Sequence, residues 1–247
     1  MSLIFWLGHD LQGYTRNERR SFGHRWGVQP EYPFGHPADN RSHFPNFERA
    51  SLENVPDYLV AFNDLSRASD PSKCGVHFFK HDEKFLPHLE NPAAFSNRYS
   101  NFKVVLCPDV SIGSGTPSWM RMKHTFDSRA TGITWQKYGH VVIPTLRWTG
   151  EEDYEFVSHG IPKCSVFAVS RLGSVHDPLK RSVFDRGLVH MTRLLEPEAI
   201  LVYGTTTEQV QSVLGDVTQI FAYPVLMRAF SNSHKMEGKI SSLSPLV

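Results

Sequence analysis

Five apolar runs in this chain each end on side chains able to do chemistry. "KVVLC" delivers Pro108 and Asp109, "VVIPTLRW" delivers Arg147 and Trp148, and "SVFAVS" delivers Ser170 and Arg171. "AILVYG" delivers Tyr203 and Gly204, and "TQIFAYP" delivers Tyr223 and Pro224. If the runs are parallel strands, these ends converge on one rim, where ligands bind because loops and helix N-termini meet there. A carboxylate among guanidinium groups and aromatic faces suits a phosphorylated or nucleotide-like compound, nucleic acid included. The acid takes a proton, the arginines hold anionic oxygens and the rings offer a stacking surface. Asp109 is the expected general base or metal contact, Arg129 and Arg171 the expected anion clamps, and Trp148, Tyr203 and Gly204 the expected ligand contacts. Arg129 and Gln136 stand seven residues apart on the segment after Asp109, so on a helix they share nearly one meridian. A strand-end carboxylate beside buried surface needs a partner, and Asp109 is expected to be ionised and in contact with Arg129 or Arg171.

Other patterns carry less. "GSGTP" followed by a helical pattern could present N–H groups to an anion, with Thr116 as cap and Pro117 at the first helical position. It lacks the Lys-[Ser/Thr] of a nucleotide phosphate loop and the third glycine of a dinucleotide fingerprint, so a capped turn is the simpler reading. "YGTTTEQ" repeats the arrangement, with Thr205 and Glu208 at capping-box spacing. His77, His81, Asp82 and Glu83 raise the question of a metal, but along a strand the two histidines would stand about 13 Å apart, and no metal site is expected. No Gly-x-Ser-x-Gly elbow and no Cys in a nucleophile context occurs, which disfavours covalent hydrolysis.

The elements that must position these residues follow from periodicity. Residues 117–138 place Trp119, Met122, Phe126, Ala130 and Ile133 on one helical stripe, and "VFDRGLVHMTRLLE" does the same with Phe184, Leu188, Met191 and Leu195. "TEQVQSVLG" is a short helix, "GVHFFK" a strand, and "VPDYLVAFNDL" stands between helix and strand. Uniformly apolar runs separated by helices predict an α/β fold, a mostly parallel sheet of about five or six strands with helices on both faces, or a TIM-like barrel. Pro144 cannot donate to a ladder, so its strand is expected to be an edge or bulged there. Residues 1–54, rich in His, Pro and aromatics, read as an irregular wrap, 55–230 as the α/β domain and 231–247 as a tail.

Composition narrows the classes. With 26 Lys and Arg against 25 Asp and Glu in 247 residues, the net charge of +1 gives no general pull toward nucleic acid or anionic lipid. No secretory signal or membrane span is legible, and the three cysteines are scattered and odd in number, so a cytoplasmic protein with reduced thiols in or near the core is expected. The sequence leaves the cofactor unidentified and the question of catalysis open.

The ordered set "LVAFND", "VHFFKHDEKF", "NFKVVLCPDVS", "TGITWQKYGHVVIPTLRW", "FVSHGIPKCSVFAVSRLG" and "PEAILVYG", spanning roughly residues 55–205, resembles the family known as domain of unknown function 4417. That family occurs in phage, plasmid and bacterial genomes, and the resemblance implies a mobile-element protein without implying an activity. Its matching positions include Asp82, Asp109, Arg129, Gln136, Trp148, Gly160, Gly173, Tyr203 and Gly204, which adds Asp82 and Gln136 to the ligand contacts. "GSGTP" departs from the family pattern, which weakens the anion-loop reading further. A reading of another class is a non-catalytic accessory protein that binds a host protein or nucleic acid through its N-terminal segment, helped by Arg16, Arg19, Arg20 and Arg25.

Overall fold

A computed structural model describes residues 44–113, 115–174 and 177–225. Its strands are β1 (Tyr58–Ala61), β2 (Cys74–His77), β3 (Val104–Leu106), β4 (Val142–Ile143), β5 (Val166–Ser170), β6 (Ala199–Tyr203) and β7 (Gln219–Tyr223). Its α-helices are α1 (Leu86–Glu90), α2 (Pro92–Phe95), α3 (Ser118–Lys137), α4 (Tyr154–Ser158), α5 (Pro178–Leu195) and α6 (Glu208–Leu214). Every strand pairing is parallel, as the uniformly apolar runs require, and the fold is α/β. The segment left open between helix and strand, Tyr58–Ala61, is a strand and brings the described total to seven.

The strands follow one another in chain order, β1 to β4 in one sheet and β5 to β7 in a second. The break between the sheets falls at Pro144. Lacking an N–H, it cannot extend β4 along β5, and the ladder shrinks to one bridge between Thr145 and Ala168. Two hydrogen bonds hold that seam, Ala168 N to Pro144 O and Leu146 N to Ala168 O, each 2.8 Å. Succession in chain order is that of the barrel alternative. Among the described residues no strand pairing closes β7 onto β1.

Two apolar clusters show how the strands are covered. One joins Val76, Val105, Val142, Phe167, Val169, Ile200 and Val202 to helical residues such as Trp135, Leu188, Met191 and Val210. The other joins the alternate strand positions, among them Leu59, Leu106, Ile143, Ala168, Leu201 and Tyr203, and no helical residue belongs to it. Side chains i and i+2 share a face of a strand, so one face packs on helices and the opposite face packs on itself. Tyr203 at the end of β6 lies 4.5 Å, ring to ring, from His77 at the end of β2. Those strands are not neighbours, so the sheet curls until its inner face meets itself. Tyr223 at the end of β7 also donates a 2.7 Å bond to Pro56 O, just before β1.

Helix α3 spans almost the expected range but is turned differently along its first half. Ala130 and Ile133 are fully buried as the stripe predicts, whereas Trp119 is 55% and Met122 43% exposed. Apart from Met120, the buried residues there are polar: Arg121, His124, Thr125, Asp127 and Ser128. Polar loops after β3 and β4, rather than apolar strand faces, lie against this half, and they select polar side chains. Cys74 and Cys107 are buried thiols, while Cys164 is exposed on the turn before β5. No helix among the described residues is long and apolar enough to cross a membrane.

Candidate functional site

Asp109 stands three residues beyond the end of β3, buried to 7% exposure. Its Oδ2 accepts a 2.9 Å charge-assisted bond from Nη1 of Arg147, which lies beyond β4. The strand-end carboxylate therefore finds a guanidinium, but neither of the two expected. Alternation explains the choice: Ile143, Thr145 and Arg147 share the inner face, whereas Ser170 is inner and Arg171 outer. Burial raises the Asp109 carboxyl above its usual range, and the positive charge of Arg147 opposes that rise. Among the described residues, Oδ1 of Asp109 and the Nε and Nη2 groups of Arg147 have no hydrogen-bond partner. The Arg147 side chain is about one-third exposed, so spare donors stand at an open position.

The other two arginines bond into the fold, each keeping an Nε without a partner among the described residues. Arg129, 1% exposed, donates Nη1 to Thr145 O (2.8 Å) and Nη2 to Val157 O (3.0 Å) with no carboxylate beside it. Burial lowers its pKa to about 10. Val157 O belongs to the last turn of α4, whose carbonyls lack helical partners and favour positive charge. Arg129 thus fixes the strand exit two residues before Arg147, while Ser128 Oγ donates 2.8 Å to Pro108 O and fixes the residue before Asp109. Arg171 points outward to Asp185 of α5 at 3.3 Å, donates to Thr205 O at 3.2 Å and covers the Phe184 ring at 5.1 Å.

Trp148 faces α5 as well. Its Nε1 donates to Val183 O at 3.2 Å, its ring stacks on Phe184 at 5.6 Å, and it packs so tightly on Gly187 that an added Cβ there would sit 2.1 Å from Nε1. Gln136 uses its amide on both backbone groups of Glu48, at 3.2 and 3.3 Å, which ties residues 44–50 to α3. Gly204 adopts φ 122°, a conformation that favours glycine, and donates its N–H to Tyr223 O at 2.8 Å. Asp82, 5% exposed, accepts from Ser111 N at 3.1 Å and Ser111 Oγ at 3.1 Å, holding the loop that leaves Asp109. His124 Nδ1 lies 2.9 Å from Ser111 O on the same loop.

The glycine loop is closed on itself. Thr116 does not cap α3, whose N-cap is Pro117; its Oγ1 accepts from Gly113 N at 3.2 Å instead. Arg121 takes Thr116 O at 2.8 Å and Asp153 Oδ1 at 2.8 Å, pinning this loop to the one after β4. At the second loop Thr207, not Thr205, is the cap of α6.

Of the expected contacts, Tyr203 lies on the inner face at the end of β6 and Asp109 lies beyond β3 on Arg147, with Asp82 bound to the loop that leaves Asp109. Arg129, Arg171, Trp148, Gln136 and Gly204 are held by backbone or outer-face partners. Arg147 and His77 are the additions. Counting by two from Ile143 puts Arg147 on the inner face, and counting from Ala168 puts Ser170 inside and Arg171 outside. The sequence offers His77 only as a metal candidate with His81, and no group of three His, Cys, Asp or Glu able to hold a metal occurs among the described residues. Arg16, Arg19, Arg20 and Arg25 lie outside the described residues.

The model of the family described as Domain of unknown function (DUF4417) matches residues 37–224. The Gene 1 protein of Mycobacterium phage L5 is 30% identical over 169 residues, which cover 64% of this chain and 74% of that protein. The Gene 1 protein of Mycobacterium phage D29 is 28% identical over 152 residues, covering 61% of this chain and 56% of that protein. No solved structure matches.

Proposed function

The chain belongs to the domain of unknown function 4417 family and is similar to the Gene 1 proteins of two mycobacteriophages, and from that premise we propose that it binds a phosphorylated, nucleotide-like or nucleic-acid ligand at the carboxyl ends of its strands. The observation that supports this is the Asp109–Arg147 pair, joined through one oxygen and one nitrogen and leaving its other polar atoms unspent. A guanidinium with spare N–H groups can clamp a phosphate bidentately. Asp109, its proton affinity raised by burial, is suited to exchange a proton with a bound hydroxyl or water. Arg147 replaces Arg129 and Arg171 as the anion contact in this reading, and Arg129, Ser128 and Asp82 hold the loops in place.

Thermal-shift measurements with inorganic phosphate, nucleotides, sugar phosphates and short oligonucleotides test the reading. At least one class should raise the melting temperature of the native chain and lose that effect in Arg147→Gln. A set of ligands without effect, or an effect that survives the substitution, would overturn it.

A further inference from the structure

His77 and Tyr203 come from strands that are not neighbours, yet their rings meet at 4.5 Å on the inner face, with Phe79 stacked 5.3 Å from His77 and 4.8 Å from Tyr203. All three are buried, at 3% for His77, 5% for Tyr203 and 3% for Phe79. If packing were the whole role, phenylalanine would serve at each position, as it does at 79. Two of the three instead carry a hydrogen-bonding group.

The state of His77 follows from its own backbone. Phe79 N donates to Nδ1 at 3.2 Å, so Nδ1 is the acceptor and the ring proton resides on Nε2. Burial, aided by the charge of Lys80, pushes His77 down to about 3, and the imidazole stays neutral at ordinary pH. It is then a fixed N–H donor, neither a base nor a cation. No described residue accepts from Nε2, and none bonds the Tyr203 hydroxyl. Neither atom is among the buried polar atoms left without a partner, so both donors, on side chains that are otherwise buried, open onto space that an acceptor from outside can enter.

We propose that His77 Nε2–H and the Tyr203 hydroxyl form a neutral donor pair that binds an uncharged oxygen of the ligand, a phosphoryl or a carbonyl oxygen, at the inner strand ends. The proposal deepens the preceding reading, since Arg147 would hold the anionic part of the same ligand. A neutral donor recognises a dipole without a charge, so an ester or carbonyl oxygen fits this pair and an ionised phosphate oxygen fits the guanidinium.

The full chain labelled with 15N-histidine tests it. In the free protein the His77 imidazole should show the neutral Nε2–H tautomer, unchanged between pH 5 and 8. Trimethyl phosphate, which offers a phosphoryl oxygen, or N-methylacetamide, which offers a carbonyl oxygen, should move the Nε2–H signal. Tyr203→Phe, which removes one oxygen and keeps the stack, should weaken that response about tenfold, and His77→Phe should lower the chain's affinity for the same probe by a similar factor. Because both probes are uncharged, Arg147→Gln should leave the response intact, so failure of the anion site and failure of this one are separate results. A proton on Nδ1, or a signal that neither probe moves, overturns the proposal.

Discussion

Two opposed fields act on the Asp109 carboxylate. Burial disfavours its charge and Arg147 favours it, with burial the larger effect. An acid whose folded pKa lies above the unfolded value of 3.8 contributes stability fully below that value and loses the contribution as pH rises through the folded pKa. Each unit of elevation corresponds to about 1.4 kcal/mol. Asp109→Asn stays neutral throughout, so relative to the native chain it should gain stability as pH climbs from below 3.8 to 7. At pH 7 it should cost no more than about 1 kcal/mol, because Arg147 is exposed enough to be solvated when its partner is gone. Urea midpoints at several pH values measure the trend, and a relative loss on raising the pH would contradict the burial account. That Asp109 sits at a strand end was legible in the run before it. Its partner was not, because three arginines were candidates and only the parity of each strand distinguishes inner from outer. Arg129 does not meet Asp109 for a related reason: two backbone carbonyls, which no side-chain pattern displays, engage its guanidinium.

Helices α3 and α5 show where periodicity suffices and where it does not. The stripe on α5 is buried as expected at Leu188, Met191 and Leu195, since that helix lies on apolar strand faces. On α3 the same rule fails for one half, because the contacting surface there is a pair of polar loops pinned by Arg121, Asp153 and Thr149. Hydrophobic pattern reports what a helix buries only where its neighbour is apolar. Trp148 packs against Gly187 of α5 with no room for a Cβ. Gly187→Ala gains about 1 kcal/mol of helix propensity and forces the indole from its place, an overpacking cost of about 1–3 kcal/mol. The expected result is a net loss of up to about 2 kcal/mol with altered tryptophan fluorescence, since the bond from Nε1 to Val183 O must lengthen. Unchanged stability would mean that α5 shifts freely away from the strand ends.

Across the whole molecule, composition and apolar runs specified parallel strands under helices, and the seven described strands are all parallel. The order of strands was beyond reach, because a run buried on both faces looks the same in an open sheet and in a curled one. Pro144 did announce the break between sheets, through its missing donor. The bond from Tyr223 to Pro56 O spans 167 positions of the chain. Such a contact brings together two ends whose loop is nearly the whole domain, and its entropy of closure is recovered only once the intervening strands are in place. It should therefore be absent from the folding transition state. Tyr223→Phe, which removes about 1 kcal/mol of hydrogen bonding, is expected to speed unfolding about fivefold and leave the refolding rate unchanged in stopped-flow measurements. Slowed refolding would instead place the meeting of β7 with the approach to β1 among the first events, making the two ends of the domain the seed from which the rest assembles.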